Sequence, residues 1–139
     1  MEGWGLRKHK VLLLVLFSMV LALVVTAFAH AQGYPVELAG VTVLRVRFPA
    51  SGYDAQERMM IAYERLVDAL GYYGRDSGPE LVNIQIVSNS PAIYVGEKLF
   101  FTVDEDHAVY NGTTPMALAE RWADNLRLAI QKYAEGFAQ

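Results

Sequence analysis

The chain has 139 residues, a net charge of −3 at pH 7 and no cysteine. The absence of cysteine excludes disulfides, thiolate metal ligands and cysteine nucleophiles. Residues 32–139 hold nine basic and fourteen acidic side chains, and this net charge of −5 argues against non-specific binding to nucleic acids, which requires a basic surface.

The N-terminal segment has the three features of a secretory signal peptide. Basic residues precede an uncharged, mostly apolar run at 11–28, and small residues flank His30 at the end of the segment. The pattern predicts cleavage after Ala31, with residues 1–31 as signal peptide and residues 32–139 as a single small domain.

An uncleaved N-terminal anchor is the alternative, because the apolar run reaches the length of about 17 residues that a spanning helix needs. Both readings place the domain outside the cytoplasm, since the positively charged end stays inside. We therefore expect a secreted or periplasmic protein, or a membrane-anchored one if the signal is uncleaved.

Two strands are predicted first, at residues 36–38 and 41–48. The second strand alternates between an apolar face and a face that carries two arginines. The inward residues are Leu44, Val46 and Phe48, and the outward residues are Val43, Arg45 and Arg47.

A helix is predicted next, from Asp54 to about Leu70. Asp54 and Glu57 have the spacing of a capping box, and apolar residues recur at intervals of three and four. Gly71 is a typical end for such a helix.

Three further strands are predicted at residues 81–87, 92–95 and 98–103. A polar loop at 104–112 follows, and Thr114 with Pro115 begins the last helix. The order β-β-α-β-β-β-α predicts an α+β two-layer sandwich, with a mostly antiparallel sheet and both helices on one face.

The sheet face turned away from the helices is a candidate partner-binding surface. By alternation it carries Arg45, Arg47, Asn83, Gln85, Tyr94 and Phe100. Arginine and aromatic residues are enriched where proteins bind partners. In an acidic domain this face favours an anionic partner, such as an acidic membrane protein, lipid headgroups or a cell-wall component. A solvated sheet face is the alternative.

A run of ligand-like side chains contains Asp104, Asp106 and His107. Carboxylates and imidazole can bind a divalent ion. The spacing does not match an EF-hand, however, and His107 is the only histidine after residue 31, which excludes a site with several histidines. We predict no metal and no cofactor, and interpret the run as a solvated loop.

Motifs for nucleophilic catalysis and for phosphate binding are absent from the sequence, which has no Gly-x-Ser-x-Gly string and no phosphate-binding glycine loop. We therefore predict no catalytic residue. Two alternatives stay open: a small hydrolase that uses His107 with a carboxylate, and a carrier of small apolar ligands bound between helices and sheet.

Four short strings carry a resemblance to a known family: VELAG at 36–40, AQER at 55–58, FFTVDEDHA at 100–108 and LAERW at 118–122. Together with the element order, they resemble the extracytoplasmic N-terminal region of some bacterial, notably cyanobacterial, relatives of small-conductance mechanosensitive channels. In those proteins the region precedes the membrane part, so the resemblance implies a position beside a membrane. This sequence departs from them in having no channel segment after the domain, so channel activity is not implied. It implies no catalytic residue.

Export, the absence of catalytic motifs and the resemblance together predict a non-enzymatic sensory or interaction module that works with a membrane partner. The identity of the partner and the oligomeric state do not follow from the sequence.

Overall fold

The computed structural model describes residues 9–20, 22 and 32–137. The chain divides into two compact units, Met1–Gln32 and Gly33–Gln139. In the first unit residues 9–20 are helical, and no helix of the described residues is long and apolar enough to cross a membrane. The predicted cleavage site after Ala31 and most of the second half of the apolar run lie outside the described residues.

The second unit contains five strands, three α-helices and two short 3-10 turns within residues 32–137. In chain order these are β1 (Tyr34–Leu38), β2 (Val41–Val46), α1 (Ala55–Tyr73), the turns Gly74–Asp76 and Pro79–Leu81, β3 (Val82–Val87), β4 (Ser90–Val95), β5 (Lys98–Thr102), α2 (Glu105–Tyr110) and α3 (Pro115–Glu135). The predicted α+β class is confirmed.

Both long helices begin where the sequence predicts. The Asp54 carboxylate accepts from the Glu57 amide at 2.8 Å, and the Glu57 carboxylate accepts from the Asp54 amide at 2.9 Å, which completes the capping box of α1. The Thr114 hydroxyl accepts from the Ala117 amide at the start of α3. Helix α1 continues past Gly71, however, because its chain reversal comes only at Gly74, where φ is 55°.

The strands form two antiparallel sheets within residues 32–137, where the sequence suggested one. Strands β1 and β2 pair with each other, and β3, β4 and β5 pair in that order. No strand is added at the outer edge of β2 because side chains from α2 and α3 bind its backbone there.

A β-bulge in β2 overturns part of the predicted alternation. Val36 pairs with Leu44 and Glu37 with Thr42, so Val43 is an extra residue in its strand. Val43 and Leu44 are consequently both buried. The prediction that Val43 faces outward is wrong.

A second irregularity, between β4 and β5, has the same effect. Ile93 pairs with Phe101 and Tyr94 with Leu99, which leaves Phe100 as the extra residue. Phe100 is 1% exposed and Phe101 is also buried. The prediction that Phe100 belongs to an outward, partner-binding face is therefore wrong.

The hydrophobic core lies between the helices and the two sheets. Helix α1 packs on β1, β2 and β5, and α3 packs on both sheets. The buried core residues of the described chain all lie between Val36 and Ile130, within the unit Gly33–Gln139. This unit therefore carries a complete core of its own and can fold without the residues that precede it.

Candidate functional site

Two of the predicted partner-binding residues, Arg45 and Arg47, line a surface cleft. Its volume is about 180 Å³, and we call it the arginine cleft. Its lining consists of Thr42, Val43, Leu44, Arg45, Arg47, Asn111, Trp122 and Asn125. Strand β2 supplies one wall and α3 the other, so the cleft follows the outer edge of β2.

The edge of β2 along this cleft is held by side chains that are distant in sequence. The Asn125 side-chain amide donates to the Val43 carbonyl at 3.0 Å. The Arg47 amide donates to His107 Nε2 at 2.9 Å. Arg45 lies between these two positions, and the alternation of the strand directs its own amide and carbonyl toward the same edge.

The two guanidinium groups have different surroundings. The Arg47 guanidinium lies over the ring of Tyr110, with its central carbon 4.3 Å from the ring centroid. Among the described residues Arg45 forms no ion pair. Both side chains are half-buried. Half-buried charges interact more strongly with an oppositely charged group than fully solvated ones do, because water screens them less.

A partly buried cluster lies behind the cleft, and we call it the histidine cluster: Arg58, Asp104 and His107. Asp104 is the N-cap of α2, and its carboxylate accepts from His107 Nδ1 at 2.7 Å and from the His107 amide at 3.0 Å. Arg58 of α1 pairs with the other oxygen of Asp104 at 2.8 Å. Because Nε2 accepts from Arg47, the His107 ring is neutral in this arrangement and Nδ1 carries the proton.

Asp104 is strongly stabilised as the carboxylate. Burial by itself raises its pKa, but the hydrogen bonds from the side chain and amide of His107 and from Arg58 outweigh this effect and lower the pKa to about 2. Because its pKa is lowered to about 2, the carboxylate stays charged well below neutral pH, and it holds His107 in a single tautomer.

His107 has a structural role in this geometry. The side chain is 0% exposed, and both ring nitrogens are hydrogen bonded inside the protein. The rings of Phe48, Phe101 and Trp122 contact it edge to face. A hydrolase would need Nε2 to reach a nucleophile or water, and here the Arg47 amide occupies it.

The acidic run does not form a metal centre in the described chain, which contains no group of three or more histidine and acidic side chains placed to hold an ion. Asp104 is bonded to Arg58 and His107, whereas Asp106 is exposed on α2. The predicted loop at 104–112 is a short helix over most of its length, because Asp104 caps it.

The remaining predicted partner-binding residues belong to the other sheet. The Asn83 side-chain amide donates to the carbonyls of Leu81 and Gly96, at 3.1 and 3.0 Å, and so holds the chain around β3 and β4 together. Gln85 is exposed and donates to the Asn83 side chain at 3.1 Å. Tyr94 is half-buried on β4. The structure thus divides the predicted set between two sheets and removes Phe100 from the surface.

Sequence reasoning missed the partners of the two arginines. The sequence pattern places Asn111 in the predicted loop at 104–112 and does not connect Trp122 or Asn125 with the two arginines. A polar residue such as Asn125, lying among the apolar positions Trp122, Leu126 and Ala129 of α3, is the sequence signal that could have indicated a bond to backbone.

A second cleft, of about 530 Å³, lies on the surface between β1 and α1. Its lining is Pro35, Glu37, Met59, Met60, Tyr63 and Glu64. It is open to solvent and lies outside the core. The hypothesis of a carrier, which places an apolar ligand between helices and sheet, therefore gains no support from it.

A family model described as "Domain of unknown function (DUF8459)" matches residues 35–133. The matched region includes the whole arginine cleft and the histidine cluster. Neither the curated proteins nor the solved structures contain a match to the chain.

Proposed function

The chain belongs to the DUF8459 family, and we propose that it is an exported, non-enzymatic interaction module that binds an acidic group of its partner in the arginine cleft. One observation carries this proposal. Two half-buried arginines line a cleft in a domain whose net charge is −5 over residues 32–139. A local positive site of this kind selects an anionic group.

The chemistry of the lining supports binding over catalysis. It offers guanidinium groups, side-chain amides, a hydroxyl and an indole, and among the described residues that line it none is a carboxylate or an imidazole. General acid or base catalysis needs a group that gains and loses a proton near neutral pH. The nearest imidazole, the His107 ring, is bonded to the backbone amide of Arg47 behind the cleft.

The size of the cleft favours a single projecting group over a flat surface. A volume of about 180 Å³ admits one carboxylate or phosphate with a few attached atoms. The planar guanidinium of Arg45 can bind such a group through two parallel hydrogen bonds. We therefore propose an acidic side chain or a chain terminus of a partner protein as the ligand.

The proposed location of the partner rests on the N-terminal segment and on the resemblance. The predicted signal and the resemblance to the extracytoplasmic region of mechanosensitive channel relatives both support a partner at the outer side of a membrane. Mass analysis of the protein from its native host tests the export proposal. A chain beginning at Gln32 means cleavage after Ala31, whereas a full-length, membrane-extracted species means an anchor.

Charge reversal tests the cleft. Arg45→Glu combined with Arg47→Glu should abolish co-sedimentation of the protein with native membranes or cell-wall material. The control, Arg75→Glu with Arg121→Glu, changes the charge equally at exposed positions outside the cleft. Melting curves verify that both variants fold. Equal sedimentation of the two variants, or no sedimentation of the wild type, contradicts the proposal.

A second measurement observes the cleft directly. In the unit Gly33–Gln139 the only tryptophan is Trp122, which lines the cleft. Titration with acetate or inorganic phosphate should change its fluorescence with saturation, and Arg45→Gln should remove the saturable change. An identical response in the variant would place anion binding elsewhere.

A further inference from the structure

Most sheet edges in the described domain are protected against pairing with another chain. Strand β1 carries Pro35 and Glu37, β2 is capped by Asn125 and His107, and β5 begins at Lys98 and is packed on by α1. Lys98 also bonds Asp68 of α1 at 2.7 Å. Proline, charge and coverage by other elements are the devices by which proteins prevent edge-to-edge association.

Strand β3 is packed on by α3, but along residues 83–87 it has neither of the other two devices, proline and charge. Its sequence there is NIQIV, without charge and without proline. Ile86 is 59% exposed, and Gln85 and Val87 are exposed as well. An exposed, uncharged edge strand rich in β-branched residues is a template for another strand.

The pairing of β3 with β4 shows which backbone groups face this outer edge. Ile86 lies opposite Pro91, which has no amide proton and whose carbonyl accepts from the Val103 amide at 2.9 Å. The pair therefore exchanges no hydrogen bond, and the amide and carbonyl of Ile86 point away from β4. By alternation, those of Ile84 do the same.

The start of the strand agrees with this assignment. The Arg127 guanidinium donates to the Val82 carbonyl at 3.1 Å, so this carbonyl also points away from β4 and is already bonded. The groups that remain at the outer edge are those of Ile84 and Ile86, two residues apart.

We propose that β3 pairs with β3 of a second copy of this chain, antiparallel and about a two-fold axis at Gln85. In this register Ile84 lies opposite Ile86 of the other copy, and each such pair exchanges two backbone hydrogen bonds. The strand is its own complement because every outward amide meets a carbonyl and there is no charge to repel. Two three-stranded sheets become one six-stranded sheet.

Neighbouring registers satisfy fewer groups. A two-fold axis at Ile84 would place Ile86 opposite Val82 of the other copy, whose carbonyl already accepts a hydrogen bond from Arg127. A two-fold axis at Ile86 would place Ile84 opposite Ser88 of the other copy. Ser88 lies in the turn after β3 and has a φ of 49°, so its backbone is not extended for pairing. The axis at Gln85 alone uses all four outward groups.

The resulting interface is small, and its strength is limited accordingly. It consists of four backbone hydrogen bonds and the contacts of two isoleucine pairs, which is typical of weak, reversible complexes. Each copy keeps its own arginine cleft, so the dimer would present two anion sites. The dimer does not depend on the proposed function, and either can fail without the other.

Cysteine cross-linking tests the register, because the chain has no cysteine of its own. In an antiparallel pair the two residues on the axis have Cα atoms about 4.5 Å apart when they exchange no hydrogen bond. This spacing is within the range of a disulfide. Full-length Gln85→Cys, oxidised with a copper catalyst, should migrate mainly as a dimer that reductant separates.

The matched control is Gln56→Cys, at an exposed position of α1. It should stay monomeric under the same oxidation. Equal cross-linking of the two variants, or none in Gln85→Cys, overturns the proposed register.

Sedimentation of the unit Gly33–Gln139 tests the dimer itself. Ile86→Pro removes an outward amide and leaves the bonds between β3 and β4 in place, so it should weaken dimerisation about tenfold or more. If it melts below the wild type, Gln85→Lys replaces it, since that change sets two charges opposite each other at an exposed position. Dimerisation unchanged in a folded variant, or a wild type that stays monomeric at millimolar concentration, overturns the proposal.

Discussion

The outer edges of β2 and β3 are built in opposite ways. At β2, side chains from α2 and α3 bind the outward backbone groups. This edge therefore lines the arginine cleft on one side and contacts the core behind it. At β3, the Arg127 side chain binds one carbonyl, and residues 85–87 stay exposed. An edge bound by distant side chains stabilises the domain itself, whereas an exposed edge can contribute only to an assembly.

The largest effect is expected at His107. His107→Ala leaves the Arg47 amide and the Asp104 carboxylate without their buried partner and opens a cavity among aromatic rings, so unfolding should cost about 3 kcal/mol less. Urea denaturation measures this. At the other edge, Gln85→Ala should change stability by less than about 0.5 kcal/mol. Similar losses at both edges would remove the distinction between them.

Acid should weaken the β2 edge through Asp104. Its pKa is lowered to about 2 in the folded domain, so its contribution is present above its ordinary pKa of 3.8 and is lost as the pH falls toward 2. The loss between pH 5 and pH 2 amounts to about 2 kcal/mol. Denaturation of the wild type and of Asp104→Asn over this range should give curves that converge at low pH. A constant separation would exclude Asp104 as the cause.

Removal of the Asn125 side chain, the other group that caps the β2 edge, should reduce stability less than removal of the His107 ring. Asn125→Ala leaves the buried Val43 carbonyl without its donor, and we expect a loss of about 1 kcal/mol in unfolding free energy. Arg127→Ala removes the corresponding bond at β3, but the Arg127 side chain is 39% exposed, so solvent can enter the space it leaves and the loss should be about half as large or less. The reverse order in chemical denaturation would mean that the β3 edge is the better protected.

The smallest effect on stability is expected at Arg45. Its guanidinium is half-buried and has no ion pair within the described chain, so Arg45→Gln should change the melting temperature by no more than about 2 °C. The same variant should lose the anion response of Trp122. A large loss of stability would mean that Arg45 supports the fold and is not available for a ligand.

Local signals in the sequence were sufficient for the starts of the two long helices and for their N-terminal caps. Asp54, Glu57, Thr114 and Pro115 act within one turn of their own positions, so their roles do not depend on the rest of the fold. The order of the strands and the α+β class follow from periodicity in the same way.

The errors arose where one extra residue changes a register. Val43 and Phe100 each interrupt the alternation of a strand, and both side chains turn into the core. Nothing within β2 or β5 alone predicts this, because a bulge is determined by the partner strand and the packing above it. The division into two sheets was missed for a related reason: Asn125 and His107 reach β2 from 82 and 60 residues away.

The bond from the Arg47 amide to the His107 ring also determines how readily the Arg47 amide proton exchanges with solvent. The acceptor, His107 Nε2, is fully buried and belongs to α2. The Arg47 amide proton can therefore exchange with deuterium only when the end of β2 separates from α2. That separation disrupts the core, and the exchange rate at Arg47 should therefore report the global opening of the domain. The outward amide of Ile86 should exchange quickly in a monomer and slowly once the edge is paired.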